Sequence, residues 1–101
     1  MNEIASALAG KFIVFDGPDG SGKSTQMRRF MHWCREGGVV VKEVREPGGT
    51  SIGEQIRQVL LDTDNECMTI QCEMLLYMAS RAQLVEQEIV PSLRRGELVV
   101  A

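Results

Sequence analysis

The order of elements predicts an α/β fold: a parallel sheet covered by helices. Three observations lead there. Lys11-Phe12-Ile13-Val14-Phe15 is a near-continuous apolar run bounded by Gly and Pro, the pattern of a strand buried on both faces. A glycine-rich turn follows at residues 17–22, and a helical pattern follows the turn. Two further strand-like runs, at 39–44 and 97–101, then alternate with helical stretches. Strand, helix, strand, helices, strand is the arrangement that packs helices on a parallel sheet.

Each element has a local reason. Residues 1–10 carry no strong periodicity and are expected as a short, loosely structured lead-in, with the folded domain running from 11 to 101. The first helix is expected over about 23–36, where Met27, Phe30, Met31 and Cys34 fall at i, i+3, i+4 and i+7. Gly37-Gly38 supplies its stop. Residues 39–44 are β-branched and read as the second strand. Glu46-Pro47-Gly48-Gly49 is a turn. The second helix is expected over about 52–61, with Ile52, Ile56, Val59 and Leu60 on one face. Ser51-Ile52-Gly53-Glu54 has the spacing of a capping box at its start. Residues 62–65 are polar and loop-like. A longer helix is expected from about Thr69 into the eighties, and Pro91 lies in or near a further helical turn that stops at Gly96. The third strand starts at about Glu97.

Composition narrows the function classes. The net charge is −3, which argues against a surface that coats nucleic acid. No apolar run approaches the roughly 20 residues of a membrane span. The first residues lack the basic and apolar regions of a secretory signal. Three cysteines, Cys34, Cys67 and Cys72, stand without CxxC spacing, and His32 is the only histidine. That is a poor disulfide framework and a poor zinc site. Reduced thiols in a cytoplasmic protein are the expectation.

Gly17-Pro18-Asp19-Gly20-Ser21-Gly22-Lys23-Ser24 matches the GxxxxGK[ST] phosphate-binding loop. A buried strand before it and a helix after it are the context the motif needs. The glycines let backbone N–H groups converge on phosphate oxygens, and the helix adds the positive end of its dipole. Lys23 reaches the outer phosphates, the Ser24 hydroxyl binds Mg²⁺, and Thr25 is available beside them. The loop alone does not choose among kinases, GTPases and ATPase motors. Asp19 is unusual, because a carboxylate inside a phosphate cradle repels the ligand. Either it faces a sugar hydroxyl or hydrated Mg²⁺, or it is an exposed loop acid without a role.

Two further groups have a bland and a functional reading. Tyr77 and Arg81 are four apart on the long helix and share one face, where a ring and a guanidinium hold a flat base. The alternative is a core-edge tyrosine and a surface arginine. Arg57 sits beside the apolar stripe of the second helix. It either points into a cleft, where its planar fork suits a phosphate, or is a solvated helix-face cation.

Four segments together resemble the thymidylate kinase family, in its bacterial form. They are Phe15-Asp16-Gly17 through Ser24-Thr25, Arg45-Glu46-Pro47-Gly48-Gly49-Thr50, Gly53-Glu54-Gln55-Ile56-Arg57, and Glu73-Met74-Leu75-Leu76-Tyr77-Met78-Ala79-Ser80-Arg81. The resemblance covers nearly all of residues 11–101 and implies a nucleoside monophosphate kinase-like sheet flanked by helices, truncated here after its third strand. It implies ATP as phosphoryl donor with Mg²⁺, dTMP as acceptor, a homodimeric parent, and no nucleic-acid or membrane partner. Residues 17–25 would hold the ATP phosphates, with Lys23 and Asp19 catalytic and Ser24 on the metal. The dTMP residues implied are Asp19, Glu46, Pro47, Arg57, Tyr77 and Arg81. In that reading Arg57 grips the dTMP phosphate, Tyr77 stacks on thymine and Arg81 donates to a base oxygen. Pro47 walls the base site, and Glu46 either borders it or holds the metal through water.

The match has departures. Tyr77 stands where Phe is usual, and its hydroxyl needs a partner or solvent. Gly20 stands where some members carry an arginine, so the catalytic arginine is expected from a lid. The family's Asp-Arg-aromatic segment, lid and adenine-binding parts follow the strand at which this sequence ends. The 101 residues alone are therefore expected not to turn over. The rival reading is a nucleotide-binding protein of another kinase or switch-ATPase class.

Overall fold

The computed structural model describes residues 3–17 and 22–101. Pro18, Asp19, Gly20 and Ser21, four of the expected loop residues, lie outside them. The chain divides into two units, one of residues up to Val44 with Ser92–Ala101, the other Arg45–Pro91.

The first unit is built on a three-stranded parallel sheet. Its strands are β1 (Phe12–Ile13), β2 (Val41–Glu43) and β3 (Leu98–Val100), in the order β1-β3-β2. Phe12 pairs with Val99 and Ile13 with Val100 on one side; Val41, Lys42 and Glu43 pair with Leu98, Val99 and Val100 on the other. β3 thus has a neighbour on each edge, and all three of its residues are fully buried. Leu-Val-Val without polar alternation is what a central parallel strand requires. The regular strands are shorter than the apolar runs predict, yet the hydrogen bonding spans those runs. Phe15 N–H donates to Ala101 C=O at 2.9 Å, Val44 N–H to Val100 C=O at 2.9 Å, and Gly10 N–H to Glu97 C=O at 3.2 Å.

Helix α2 (Lys23–Glu36) lays its predicted stripe on this sheet. Met31 and Cys34 are buried with Val39, Leu98 and Val100, while Met27 and Phe30 pack against that cluster. Burial raises the Cys34 thiol pKa above its ordinary value. The helix ends in a Schellman motif: Val39 N–H donates to Cys34 C=O and Gly38 N–H to Arg35 C=O. Gly38 takes the left-handed conformation this needs, with φ 92°. Residues 1–10 differ from expectation. Glu3–Leu8 forms helix α1, because Leu8 has the core to pack on and Lys11 N–H returns to its carbonyl at 3.1 Å. Replacing the fully buried Leu98 by Ala should cost about 2–5 kcal/mol. Thermal unfolding followed by circular dichroism should show a midpoint lower by roughly 10 °C or more.

The second unit holds α3 (Ser51–Leu61), a short 3₁₀ turn (Thr63–Asn65) and α4 (Ile70–Leu84). α4 starts as predicted, with Thr69 Oγ1 accepting from Cys72 N–H at 3.1 Å. α3 is capped one residue earlier than the sequence spacing suggests. Thr50, not Ser51, is the N-cap, and its Oγ1 accepts from Gly53 N–H at 2.8 Å. The expected apolar stripe of α3 is not buried either. Ile52 and Val59 are exposed, Ile56 and Leu60 half-buried, and only Gly53 is fully covered. Among residues 45–91 the one long element to cover it is α4. After α4 the chain widens into a π turn (Val85–Ile89) before α5 (Val90–Arg94). Pro91 accounts for this, since a proline lacks the N–H for an α-helical bond and crowds the carbonyl four residues back. Among the described residues no helix is long and apolar enough to cross a membrane.

Candidate active site

In the first unit the glycine turn joins β1 to α2. Gly17 N–H donates to the Asp16 carboxylate at 2.9 Å. Gly22 is the N-cap of α2 with φ 83° and no side-chain cap. Among the described residues no side chain caps the first N–H groups of the helix, as a phosphate-binding helix start requires. Lys23 is the first residue of the helix. It is half-buried, and its Nζ donates to Gly17 C=O at 3.2 Å, across six residues of the loop. Ser24 and Thr25 follow on the first turn with exposed side chains.

In the second unit the turn before α3 is fastened to both helices. The buried Ser80 Oγ on α4 accepts from Gly48 N–H at 3.0 Å. Glu54 on α3 accepts from Gly49 N–H at 3.2 Å and from Arg45 Nη2 at 3.0 Å. The glycines are required here. A Cβ on Gly48 would lie 2.5 Å from Glu54 Oε1, and one on Gly49 would lie 2.9 Å from Leu84 Cδ1. Both have positive φ, 123° and 82°. Pro47 follows a cis peptide bond and is half-buried.

This turn delivers Glu46 to Arg81. Glu46 Oε2 accepts from Arg81 Nε at 2.8 Å and stands 2.6 Å from Nη2. The hydrogen bond, then the carboxylate's charge, raises the proton affinity of Arg81 further. Two of the predicted residues, 35 apart in sequence, are thus in direct contact. Tyr77 lies one turn earlier on α4 with a partly exposed ring, 42% accessible. Arg57, half-buried on α3, is in no hydrogen bond or salt bridge among the described residues, although its charge adds to those that hold the Glu54 carboxyl down. The structure brings Glu46 and Arg81 together and puts Tyr77 on the same helix as Arg81. The phosphate loop belongs to the other unit. A cavity of about 270 Å³ at the end of α3, lined by Gln58, Val59, Leu61, Asp62 and Asn65, contains none of the predicted residues.

Sequence reasoning missed Ser80 and the work of Glu54. Glu54 was legible only as a helix-start acid, and its spacing from Ser51 pointed to the wrong cap. Gly49 N–H and then the Arg45 hydrogen bond hold the Glu54 carboxyl below its ordinary value of 4.5. A lowered folded-state pKa means that the fastening is complete above 4.5 and is lost as pH falls through the lower value. The Gly49 amide, followed by NMR from about pH 6 to about pH 3, should lose protection at the acid end. Glu54→Gln should flatten that dependence.

The family model for thymidylate kinase matches residues 15–101. The chain belongs to the thymidylate kinase family. The thymidylate kinase of Exiguobacterium sp. is 52% identical over 93 residues, which are 92% of this chain and 44% of that protein. That of Thermosipho africanus is 51% identical over 90 residues, 89% of this chain and 44% of the relative. Among solved structures, thymidylate kinase from Ehrlichia chaffeensis matches with a TM-score of 0.74 and 32% identity, over 91% of this chain and 50% of that one. The chain therefore spans about half the length, or less, of the family members it matches.

Proposed function

We propose that the whole protein containing this chain transfers the γ-phosphoryl group of ATP to dTMP, giving ADP and dTDP. The observation that carries this is the contrast between two arginines of the second unit. Arg81 is already neutralised by Glu46, so it suits an uncharged acceptor such as a base carbonyl. Arg57 has no counter-ion in contact among the described residues, so it suits an anion. An anionic phosphate on a neutral, acceptor-edged base is a nucleotide monophosphate, and thymine presents such an edge through O4. In this reading Arg57 grips the dTMP phosphate, Tyr77 stacks on the base, Arg81 donates to it, and Pro47 walls the site.

Gly17, Pro18, Asp19, Gly20, Ser21, Gly22, Lys23, Ser24 and Thr25 are assigned to the ATP phosphates, with Asp19 toward the acceptor's sugar hydroxyl. The donor set fits MgATP: an uncapped helix start, a half-buried lysine and an exposed serine hydroxyl one residue on. Ser24 would hold Mg²⁺, which neutralises phosphate charge when bound. We place the reaction in the cytoplasm, in keeping with three cysteines that are unpaired. A homodimer is supported by the apolar face of α4, where Ile70, Met74 and Met78 are 80%, 53% and 59% exposed.

The 101 residues by themselves are proposed not to turn over, because phosphoryl transfer needs the full set of positioned charges. The reading is tested by ADP release from the whole protein with dTMP, AMP and CMP as acceptors. Turnover should depend on dTMP; equal turnover of all three would sink the reading.

A further inference from the structure

Glu46 and Arg81 are not equally exposed. The Glu46 side chain is 25% accessible and that of Arg81 68%. The carboxylate is the anchored member, and the guanidinium is the one that solvent reaches. Both contacts land on a single oxygen, Oε2, and come from Nε and Nη2. That leaves Nη1 and the outer N–H of Nη2 as the open edge of the fork. The anchor is itself held from both sides. Ser80, the residue before Arg81, fixes Gly48, and Glu54 fixes Gly49 and Arg45. The turn that carries Glu46 is thus tied to the helix that carries Arg81 by the buried Gly48–Ser80 bond and to α3 by Glu54. A free arginine loses about 2 kcal/mol of rotamer freedom when it is ordered. Here that ordering is made before any ligand arrives, and the pair carries no net charge.

We infer that Glu46 is a positioning residue that sets base specificity. It aims the outer edge of Arg81 at the acceptor atom of a pyrimidine base and cancels its charge, so that the site selects a neutral carbonyl edge over an amino edge. The inference rests on the assignment of Arg81 to the base. It gives Glu46 a role apart from the metal, where the family resemblance leaves both sides open.

The test is a double-mutant cycle in the whole protein, with Glu46→Ala, Arg81→Ala and the pair, and Glu46→Gln as the isosteric variant that keeps an acceptor oxygen. Glu46→Ala should raise the KM for dTMP about 10- to 100-fold, the range of a lost hydrogen bond to a charged group. It should also narrow the preference for dTMP over dCMP. kcat at saturating dTMP, the KM for ATP and the Mg²⁺ dependence should stay within about threefold, less than the loss of one neutral hydrogen bond gives. Glu46→Gln should fall between. In the Arg81→Ala background the Glu46→Ala change should add nothing. Independent, additive losses, or a shifted Mg²⁺ dependence, would overturn the inference. A dTMP defect in Arg81→Ala with none in Glu46→Ala would overturn it too and leave the base assignment standing. Arg81→Ala without any dTMP defect would remove both.

Discussion

Replacing Lys23 by Met should lower kcat of the whole protein by about 10²–10³-fold, the scale on which one preorganised donor to a developing charge contributes. Methionine keeps most of the unbranched side chain and removes its charge. Lys23 opens α2 directly after the left-handed Gly22, and its ammonium lies on the Gly17 carbonyl at 3.2 Å. That bond holds the ammonium back toward the residue that opens the motif. The stripe that anchors α2, Met27, Phe30, Met31 and Cys34, does not involve Lys23. Circular dichroism and the unfolding midpoint should therefore stay close to the parent's, while steady-state kinetics show the loss.

Arg57→Ala is the second large effect. The KM for dTMP should rise by about 10²-fold, as when a charged hydrogen-bond partner is truncated in a partly desolvated site. Binding of thymidine, which has no phosphate, should be unchanged by calorimetry. The reason is the electrostatic setting of the residue. Glu54 is the near carboxylate, but it is engaged by Gly49 and Arg45, so Arg57 keeps its hydrogen-bonding fork for another anion. Arg57→Lys should recover only part of the affinity, since an ammonium cannot bond two phosphate oxygens in one plane. A nucleoside kinase would show the opposite pattern, with thymidine as the substrate and Arg57 indifferent.

The parts of the fold that are legible in the sequence are those whose signal is local. Glu97–Ala101 reads as an apolar strand and supplies the centre of the sheet, whereas Lys11–Phe15, expected to be buried on both faces, leaves Phe12 39% and Val14 63% exposed because β1 lies at the sheet edge. The i, i+3, i+4, i+7 stripe of α2 is the face that packs, and Gly37-Gly38 ends that helix. Other features need the third dimension. The cap at Thr50 is set by an extended residue that follows two glycines with positive φ, and the Ser51–Glu54 spacing imitates it one residue late. The exposed stripe of α3 was misread because periodicity reports which residues could be buried, not what stands opposite them. α1 forms from a segment with little pattern of its own because its last residue finds a core.

The candidate site divides in the same way. The phosphate loop is a contiguous motif, so residues 17–25 could be named from the sequence. The Glu46–Arg81 pair and the Gly48–Ser80 bond join residues 35 and 32 apart. No periodicity couples positions at that distance, and only the family resemblance put Glu46 and Arg81 in the same site. Ser80 was invisible because serine on a helix is ordinary. Its meaning is the buried N–H it satisfies, which would otherwise be left without a partner.

The central claim is that the phosphate loop and the Arg57/Arg81 group serve one transfer to an acceptor, rather than hydrolysis by a switch. The direct measurement is the fate of the label when the whole protein is incubated with ATP labelled on its γ-phosphate, Mg²⁺ and dTMP, and the products are separated. The label should appear in dTDP, in step with ADP formed, and should fall with Arg57→Ala. Label recovered as free phosphate at a rate indifferent to dTMP would contradict the account.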